Sequence, residues 1–425
     1  MDTVYDALAT LASALYGCSP TISTAFSGCL GIQATSLVPR SLQVNNTLYH
    51  IKGQLGEGGF SHVFLGQASG SIDQVAIKRM ICQRGTDALA QARRELAAYK
   101  TFRHKNIISL IDYSIERQAD RSTVYMVFPL YARGTLADIV ALNQEMRVQM
   151  SEQEVVRIFA GVCEAVQYLH NYRADPDDAG AGAGVDVVDG QSHGAAVDLE
   201  GAAITRSPTA HTSGSKQSDD DTPSAEGLQQ PSTGYAPIQS STQSAEPVEP
   251  LDLNELSLPK KHNSGYVHRD IKLANVMLSD DGRTPVLMDF GSTAVARFTA
   301  DTRSQALQIQ DAAAEHCSMA YRPPELFDVQ RGMQFDERTD VWALGCLLFA
   351  LAFGFTPFED PAAGPGASIM LAASNGRWRV PESSTYSDRL GNLVAYMLVP
   401  DIKERPFVDQ VISYAKGLYS KELQS

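Results

Sequence analysis

Apolar positions along this chain change period near residue 134. From Leu48 they come in short alternating runs, as half-buried strands do. Leu55-Gly56-Glu57-Gly58-Gly59-Phe60-Ser61-His62-Val63-Phe64 reads as a hairpin with a glycine-rich turn, and Val75-Ala76-Ile77-Lys78 as the next strand. A helical stretch from about Asp87 to Tyr99 interrupts, and strand-like runs resume after Asn106 and end in Val124-Tyr125-Met126-Val127-Phe128-Pro129-Leu130-Tyr131. Beyond Gly134 the period is helical. Ser151 to His170 predicts a long helix with Ser151 as N-cap, Glu154 three residues on, and Val155, Ile158, Phe159, Val162, Ala165, Val166 and Leu169 along one face. A second apolar helix opens at Asp340-Val341-Trp342-Ala343-Leu344.

The pattern lapses in two places. Residues 1–47 show only Val4, Leu8, Leu11 and Leu15 at helical spacing, closed by Gly17, and predict a flexible leader with one short amphipathic helix. Cys18 and Cys29 follow among small or apolar residues; S-acylated cysteines and plain thiols both remain open, while Asp2 excludes N-myristoylation. From Tyr172 to Asn263, Gly-Ala repeats (Ala179 to Gly184), the acid cluster Asp219-Asp220-Asp221 and many Ser, Thr and Gln cannot bury a core and predict disorder. Ser207-Pro208, Thr222-Pro223 and Ser218 there read as candidate phosphorylation sites.

Composition narrows the classes. A chain of 425 residues that is 44% hydrophobic suggests two or three ordinary domains and a large core. The net charge of −14 argues against sequence-general nucleic-acid binding. Between Asn171 and Ser264 stand 15 acidic and 5 basic residues, so only −4 belongs to the rest. Six scattered cysteines form no disulfide framework and read as free thiols. No apolar run is long enough to span a bilayer, and no secretory signal is visible.

The chemistry gathers in Tyr266-Val267-His268-Arg269-Asp270-Ile271-Lys272-Leu273-Ala274-Asn275, followed by Asp289-Phe290-Gly291. A carboxylate to orient a hydroxyl and take its proton, an ammonium to face a phosphate, and oxygens for a metal are what phosphoryl transfer needs. Asp270 reads as the base, Lys272 as the charge-neutralising group, and Asn275 and Asp289 as metal ligands. The glycines at 56, 58 and 59 let backbone N–H groups approach phosphate oxygens, with Val63 over the base. An ammonium on a half-buried strand needs a partner, and Glu95 on the following helix can pair Lys78, although Glu95 beside Arg94 also reads as a solvated helix charge.

These motifs resemble the catalytic loop, DFG motif, glycine-rich loop and VAIK strand of eukaryotic protein kinases, and Lys272 resembles the serine/threonine branch. Gly-Glu-Gly-Gly-Phe-Ser, Pro285-Val286-Leu287-Met288-Asp289, Arg303 to Cys317 and Phe335 to Asp340 together resemble the Numb-associated kinase family, nearest its small acylated Golgi serine/threonine kinase. The resemblance covers roughly Leu48 to Tyr419 apart from the insert. It implies an α+β, two-lobed kinase fold: leader 1–47, a small antiparallel β lobe with one helix over 48–133, a larger helical lobe over 134–171 and 264–419, the disordered insert 172–263, and a tail 420–425. It implies ATP and Mg²⁺, with Mn²⁺ an alternative, protein substrates with Ser or Thr, and no nucleic acid; the sequence carries no oligomeric signal, and a monomer is assumed.

Carried over by resemblance, Leu55, Gly56, Glu57, Gly58, Gly59, Phe60, Ser61, Val63, Ala76, Lys78, Phe128, Pro129 and Tyr131 would hold ATP, with Phe128 the gatekeeper and the Tyr131 N–H meeting adenine. Ser318 would bridge base and lysine, Glu325 would pair with Arg405, Asp340 would fasten the catalytic loop, and the Ala-rich run before Cys317 would form an extra activation-segment helix. Four features depart from the pattern: Ser61 replaces the third glycine, Pro323 the Ala of the APE motif, the leader lacks the myristoylation glycine, and the insert is additional. The family and Cys18 and Cys29 imply a membrane surface reached through an acylated leader, on the cytosolic side of Golgi, endosome or vacuole, otherwise cytoplasm. A pseudokinase scaffold is the alternative, but it needs a broken motif, and Lys78, Glu95, Asp270, Asn275 and Asp289 are all present.

Overall fold

The computed structural model describes residues 39–58, 61–173, 264–359 and 368–420. The readings of the leader helix, Cys18, Cys29, Gly59, Phe60 and nearly all of the insert lie outside them. The first lobe is one antiparallel sheet in the order β1-β2-β3-β4-β6-β5, from β1 (Ser41–Val44), β2 (Thr47–Glu57), β3 (Ser61–Ala68), β4 (Gln74–Gln83), β5 (Asp112–Arg117) and β6 (Arg121–Pro129). Helix α1 (Ala88–Thr101) follows β4. Alternation sorts the side chains onto two faces. Met80, Cys82, Val124, Met126 and Phe128 join the main core with Leu96 and Tyr99 of α1. Phe64, Val75, Ile77, Tyr125 and Val127 point the other way and form a separate cluster with Leu42, Val44 and Tyr49.

That second cluster corrects the leader boundary. The sheet begins at Ser41, not Leu48, because the outer face of β3, β4 and β6 is apolar and needs cover. Leu42 and Val44, alternating with exposed Ser41 and Gln43, supply it through the pairs Leu42↔Tyr49 and Val44↔Thr47.

The second lobe is helical: α2 (Leu136–Met146), α3 (Glu152–Asn171), α4 (Arg303–His316), α5 (Arg338–Phe353), α6 (Ile369–Ser374), α7 (Asp388–Met397) and α8 (Val408–Leu418). Helix α3 starts in the capping box read from the sequence: the Glu154 N–H donates to Ser151 Oγ and the Ser151 N–H donates to Glu154 Oε2. Helix α5 is apolar all round and, as such a helix must be, central, with every residue from Thr339 to Leu351 buried. Short strands β7 (Tyr266–Val267), β8 (Val276–Leu278), β9 (Pro285–Leu287), β10 (Ala294–Val295), β11 (Phe298–Thr299) and β12 (Gln334–Phe335) pair two by two, β7 with β10, β8 with β9 and β11 with β12. Gly161 lets α3 lie against β9: a Cβ there would stand 2.6 Å from Pro285 Cγ.

The two ends of the insert meet. A Cβ at Gly265 would collide with the His170 carbonyl, and the Tyr172 and Tyr266 rings lie 6.1 Å apart. The chain thus leaves and re-enters at one point, which lets a long insertion be tolerated at small entropic cost. The Ala-rich run is helix α4, opened by a Thr302–Gln305 capping box and anchored by Ala306 and Ala313 in a small cluster with Leu326 and Phe335.

Candidate active site

Register puts the nucleotide-lobe residues on one face. Val63 pairs with Lys78, Ala76 with Phe128 and Lys78 with Met126, so Val63, Ala76, Lys78 and Phe128 project to the same side. Gly56 opposes Val63 and Glu57 opposes His62 at the mouth of the hairpin, where the Gly58 N–H donates to the Ser61 carbonyl at 2.7 Å. His62 Nε2 lies 3.6 Å from Glu57 Oε1. Leu55 is exposed at the rim. Pro129 ends β6 opposite Val75, and the Tyr131 carbonyl accepts from the Gly134 N–H. The Phe128 ring is closed from behind by Tyr99, edge-on at 4.7 Å.

Below that face Lys78 Nζ meets Glu95 Oε1 at 2.6 Å and stands 3.9 Å from Asp289 Oδ1. The Glu95 side chain is 2% exposed, so the solvated alternative does not hold. Burial works against the Lys78 charge, but Glu95 and Asp289 outweigh it and hold its pKa above the ordinary lysine value. Burial pushes the Glu95 carboxyl up, with Lys78 pulling it back. At Asp289 burial is overcome by Lys78, then His268, and its carboxyl lies below the usual range. Asp289 adopts φ 63° and ψ 76°, a left-handed conformation rare outside glycine, and its carboxylate accepts from the Gly291 N–H. Phe290 is buried against Tyr99, Phe102 and His268 at 5.3, 5.7 and 5.1 Å.

The acid and base of the loop form a closed ring. Lys272 Nζ donates to Asp270 Oδ2 at 2.7 Å and to Ser318 Oγ at 2.9 Å, and Ser318 Oγ donates to Asp270 Oδ1 at 2.8 Å. Asn275 Nδ2 donates to Asp270 Oδ2 at 2.9 Å and to the Asp270 carbonyl at 2.8 Å. With its amide nitrogen spent this way, the side-chain group Asn275 can offer a metal is its carbonyl oxygen, and Asp289 adds a carboxylate. Among the described residues no cluster of three or more His, Cys, Asp and Glu side chains could hold a metal. Two hard oxygens fit a small divalent ion that completes its shell with phosphate and water, as Mg²⁺ prefers.

Asp340, at the head of α5, holds the loop backbone: the His268 and Arg269 N–H groups donate to its two oxygens at 2.8 and 2.9 Å. His170 Nε2, the last turn of α3, is 3.0 Å from Oδ2. Burial raises the Asp340 carboxyl, but the hydrogen bond and charge of His170 with His268 carry it below the ordinary value. Glu325 and Arg405 form a buried two-pronged pair at 2.9 and 3.0 Å. Beside Ser318, burial pushes the Cys317 thiol up to about 11, so it is inert. Sequence reading missed Tyr99 and His170. Tyr99 follows Glu95 by four residues, hence one turn further on the same helix face, which was a usable signal; His170 closes α3, but nothing in its neighbours pointed to Asp340.

An antiparallel lobe that presents a lysine–glutamate pair over a loop carrying Asp, Lys and Asn, with a second Asp between, defines an ATP-dependent phosphotransferase of two-lobed kinase architecture. The chain belongs to the protein kinase domain family, whose model matches residues 49–174 and 257–415. It is similar to serine/threonine-protein kinase ENV7 of Saccharomyces cerevisiae, 29% identical over 389 residues, which are 89% of this chain and 94% of the yeast protein. Serine/threonine-protein kinase 16 of Homo sapiens is 27% identical over 88% of this chain and 92% of its own. Serine/threonine-protein kinase ppk13 of Schizosaccharomyces pombe is 28% identical over 87% and 90%. The enzyme is a serine/threonine protein kinase, and the family implies ATP, a divalent metal and protein substrates. Among the described residues no helix is long and apolar enough to cross a membrane.

Proposed function

We propose that the enzyme transfers the γ-phosphate of Mg²⁺-bound ATP to Ser or Thr hydroxyls, with Asp270 as the base and Asn275 and Asp289 as the metal ligands. The observation that carries this is the Asp270 carboxylate held by Lys272, Ser318 and Asn275 on a backbone fastened to Asp340. Asp270 orients the incoming hydroxyl and takes its proton as the new O–P bond forms and the bond to ADP breaks. Lys272 neutralises charge on the transferred group, and Lys78, kept charged by Glu95, clamps the α- and β-phosphates. The hairpin of Leu55, Gly56, Glu57, Gly58, Gly59, Phe60, Ser61 and Val63 covers the phosphates, while Ala76, Phe128, Pro129 and Tyr131 enclose adenine. Asn275 and Asp289 would hold Mg²⁺, which would supply positive charge against the negative charge that develops on the transferred phosphate. Lys78→Ala and Asp289→Asn, assayed with labelled ATP-Mg²⁺ and a peptide library, each abolish transfer while circular dichroism stays native; more than about a tenth of wild-type rate in both would overturn the assignment.

The same reading places the kinase, as a monomer, in membrane trafficking or Golgi and vacuole function, on a cytosol-facing membrane reached through Cys18 and Cys29. Support comes from the amphipathic spacing of Val4, Leu8, Leu11 and Leu15 beside them. One acyl chain, at about 0.8 kcal/mol per buried CH₂, holds a protein marginally, so both cysteines or one with the helix are needed. Arg40 is the only Lys or Arg before Lys52, so anionic lipid adds little. Fractionation of the two single Cys→Ser variants and the double variant should show graded loss from the membrane, complete in the double; a double variant that pellets like wild type refutes acylation.

A further inference from the structure

Tyr99 has no part in the roles above, yet its hydroxyl sits between two groups that do. It accepts a hydrogen bond from the Asp289 N–H at 3.0 Å and is hydrogen-bonded to the Glu95 carboxylate, to which a phenol can only donate. The residue is 2% exposed, with its ring edge-on to Phe128 at 4.7 Å and to Phe290 at 5.3 Å. We infer that the Tyr99 hydroxyl is a positioning group: it ties the carboxylate that holds Lys78 to the backbone of the metal-binding aspartate, so that the ion pair and the metal turn are set together.

The backbone around Asp289 shows why a bond is needed there. Strand β9 gives its N–H groups to carbonyls: Leu287 to Asn106 and, just beyond the strand, Met288 to Asn275 at 2.8 and 2.9 Å. At Asp289 the chain leaves this ladder and turns left-handed, so its N–H needs an acceptor from elsewhere. A buried donor without a partner costs free energy comparable to the hydrogen bond it has lost. The Tyr99 oxygen supplies the acceptor while its proton goes to Glu95, and a Phe, Leu or Met at this place would keep the packing but offer neither. Rotation of α1 that broke Lys78–Glu95 would also withdraw the acceptor from Asp289.

The inference rests on the proposed roles of Lys78, Glu95 and Asp289, and its test separates the two. In full-length Tyr99→Phe, amide hydrogen exchange without nucleotide should speed up at Asp289 by about tenfold, while amides of α5 stay as protected as in wild type. The Mg²⁺ concentration for half-maximal rate at saturating ATP should rise by about tenfold as well. Tyr99→Gln, whose amide can both donate and accept, should keep a lower Mg²⁺ requirement than Tyr99→Leu. Unchanged Asp289 exchange in Tyr99→Phe, exchange rising equally across α5, or Tyr99→Leu matching Tyr99→Gln would each overturn the inference. An active Asp289→Asn would instead overturn the metal assignment beneath it.

Discussion

Glu325→Gln should be among the most damaging single changes outside the phosphate site. Arg405 is fully buried at 0% side-chain exposure and Glu325 at 5%. Their two parallel bonds, 2.9 and 3.0 Å, are supplemented by Val399, Arg338 and Pro400 carbonyls at 3.0, 2.9 and 3.3 Å, and the guanidinium stands 5.1 Å over Trp342. Gln keeps the shape and removes the charge, so the guanidinium stays in the interior facing carbonyl dipoles alone. Breaking such a pair from one side costs about 3–5 kcal/mol, and for a domain of this size roughly 2 °C of melting temperature per kcal/mol gives a fall of about 6–10 °C. Urea unfolding and thermal melts at pH 7 measure it, beside the apolar double variant Glu325→Leu/Arg405→Met. With no stranded charge, the double variant should recover about 2 kcal/mol or more of the single loss. A cost below about 1 kcal/mol, typical of exposed pairs, or a double variant no better than the single, refutes the reasoning.

Two further outcomes follow from the supports of the loop and from its insertion. The Asp340 carboxyl is held below its ordinary pKa in the fold, so it contributes stability above the unfolded value of about 3.9 and loses that contribution as pH falls through the folded pKa. Asp340→Asn should therefore lower the urea midpoint at pH 7 and flatten its decline between pH 5 and 3; an unchanged acid slope counts against it. Replacing residues 174–263 by a short Gly/Ser linker should leave peptide phosphorylation intact, because the His170 and Gly265 ends already meet; loss of most activity, or a protease-resistant fragment from the region, would show that the insert is part of the working enzyme.

What could be read in advance depended on how far each residue's partner lay and on what marked it. Pairing of Lys78 with Glu95 joins residues on different elements, yet a buried charge demands an opposite one and the following helix offers it; the Glu325–Arg405 pair came through the family resemblance alone. Helix α3 was legible because its cap and apolar face are local. Strand β1 was not: Leu42 and Val44 are two apolar residues in a polar stretch, and only the outer face of β4 and β6, set by register, makes them necessary. The Tyr99 contact was hidden for a different reason. On an amphipathic helix a tyrosine reads as packing, and its hydroxyl gains an acceptor's task only because Asp289, far along the chain, takes a left-handed turn that no periodicity encodes. Where a backbone leaves its ladder, the side chain that meets the orphaned N–H is specified by the tertiary fold alone, so positioning groups of this kind should be sought at such departures and not in the motif.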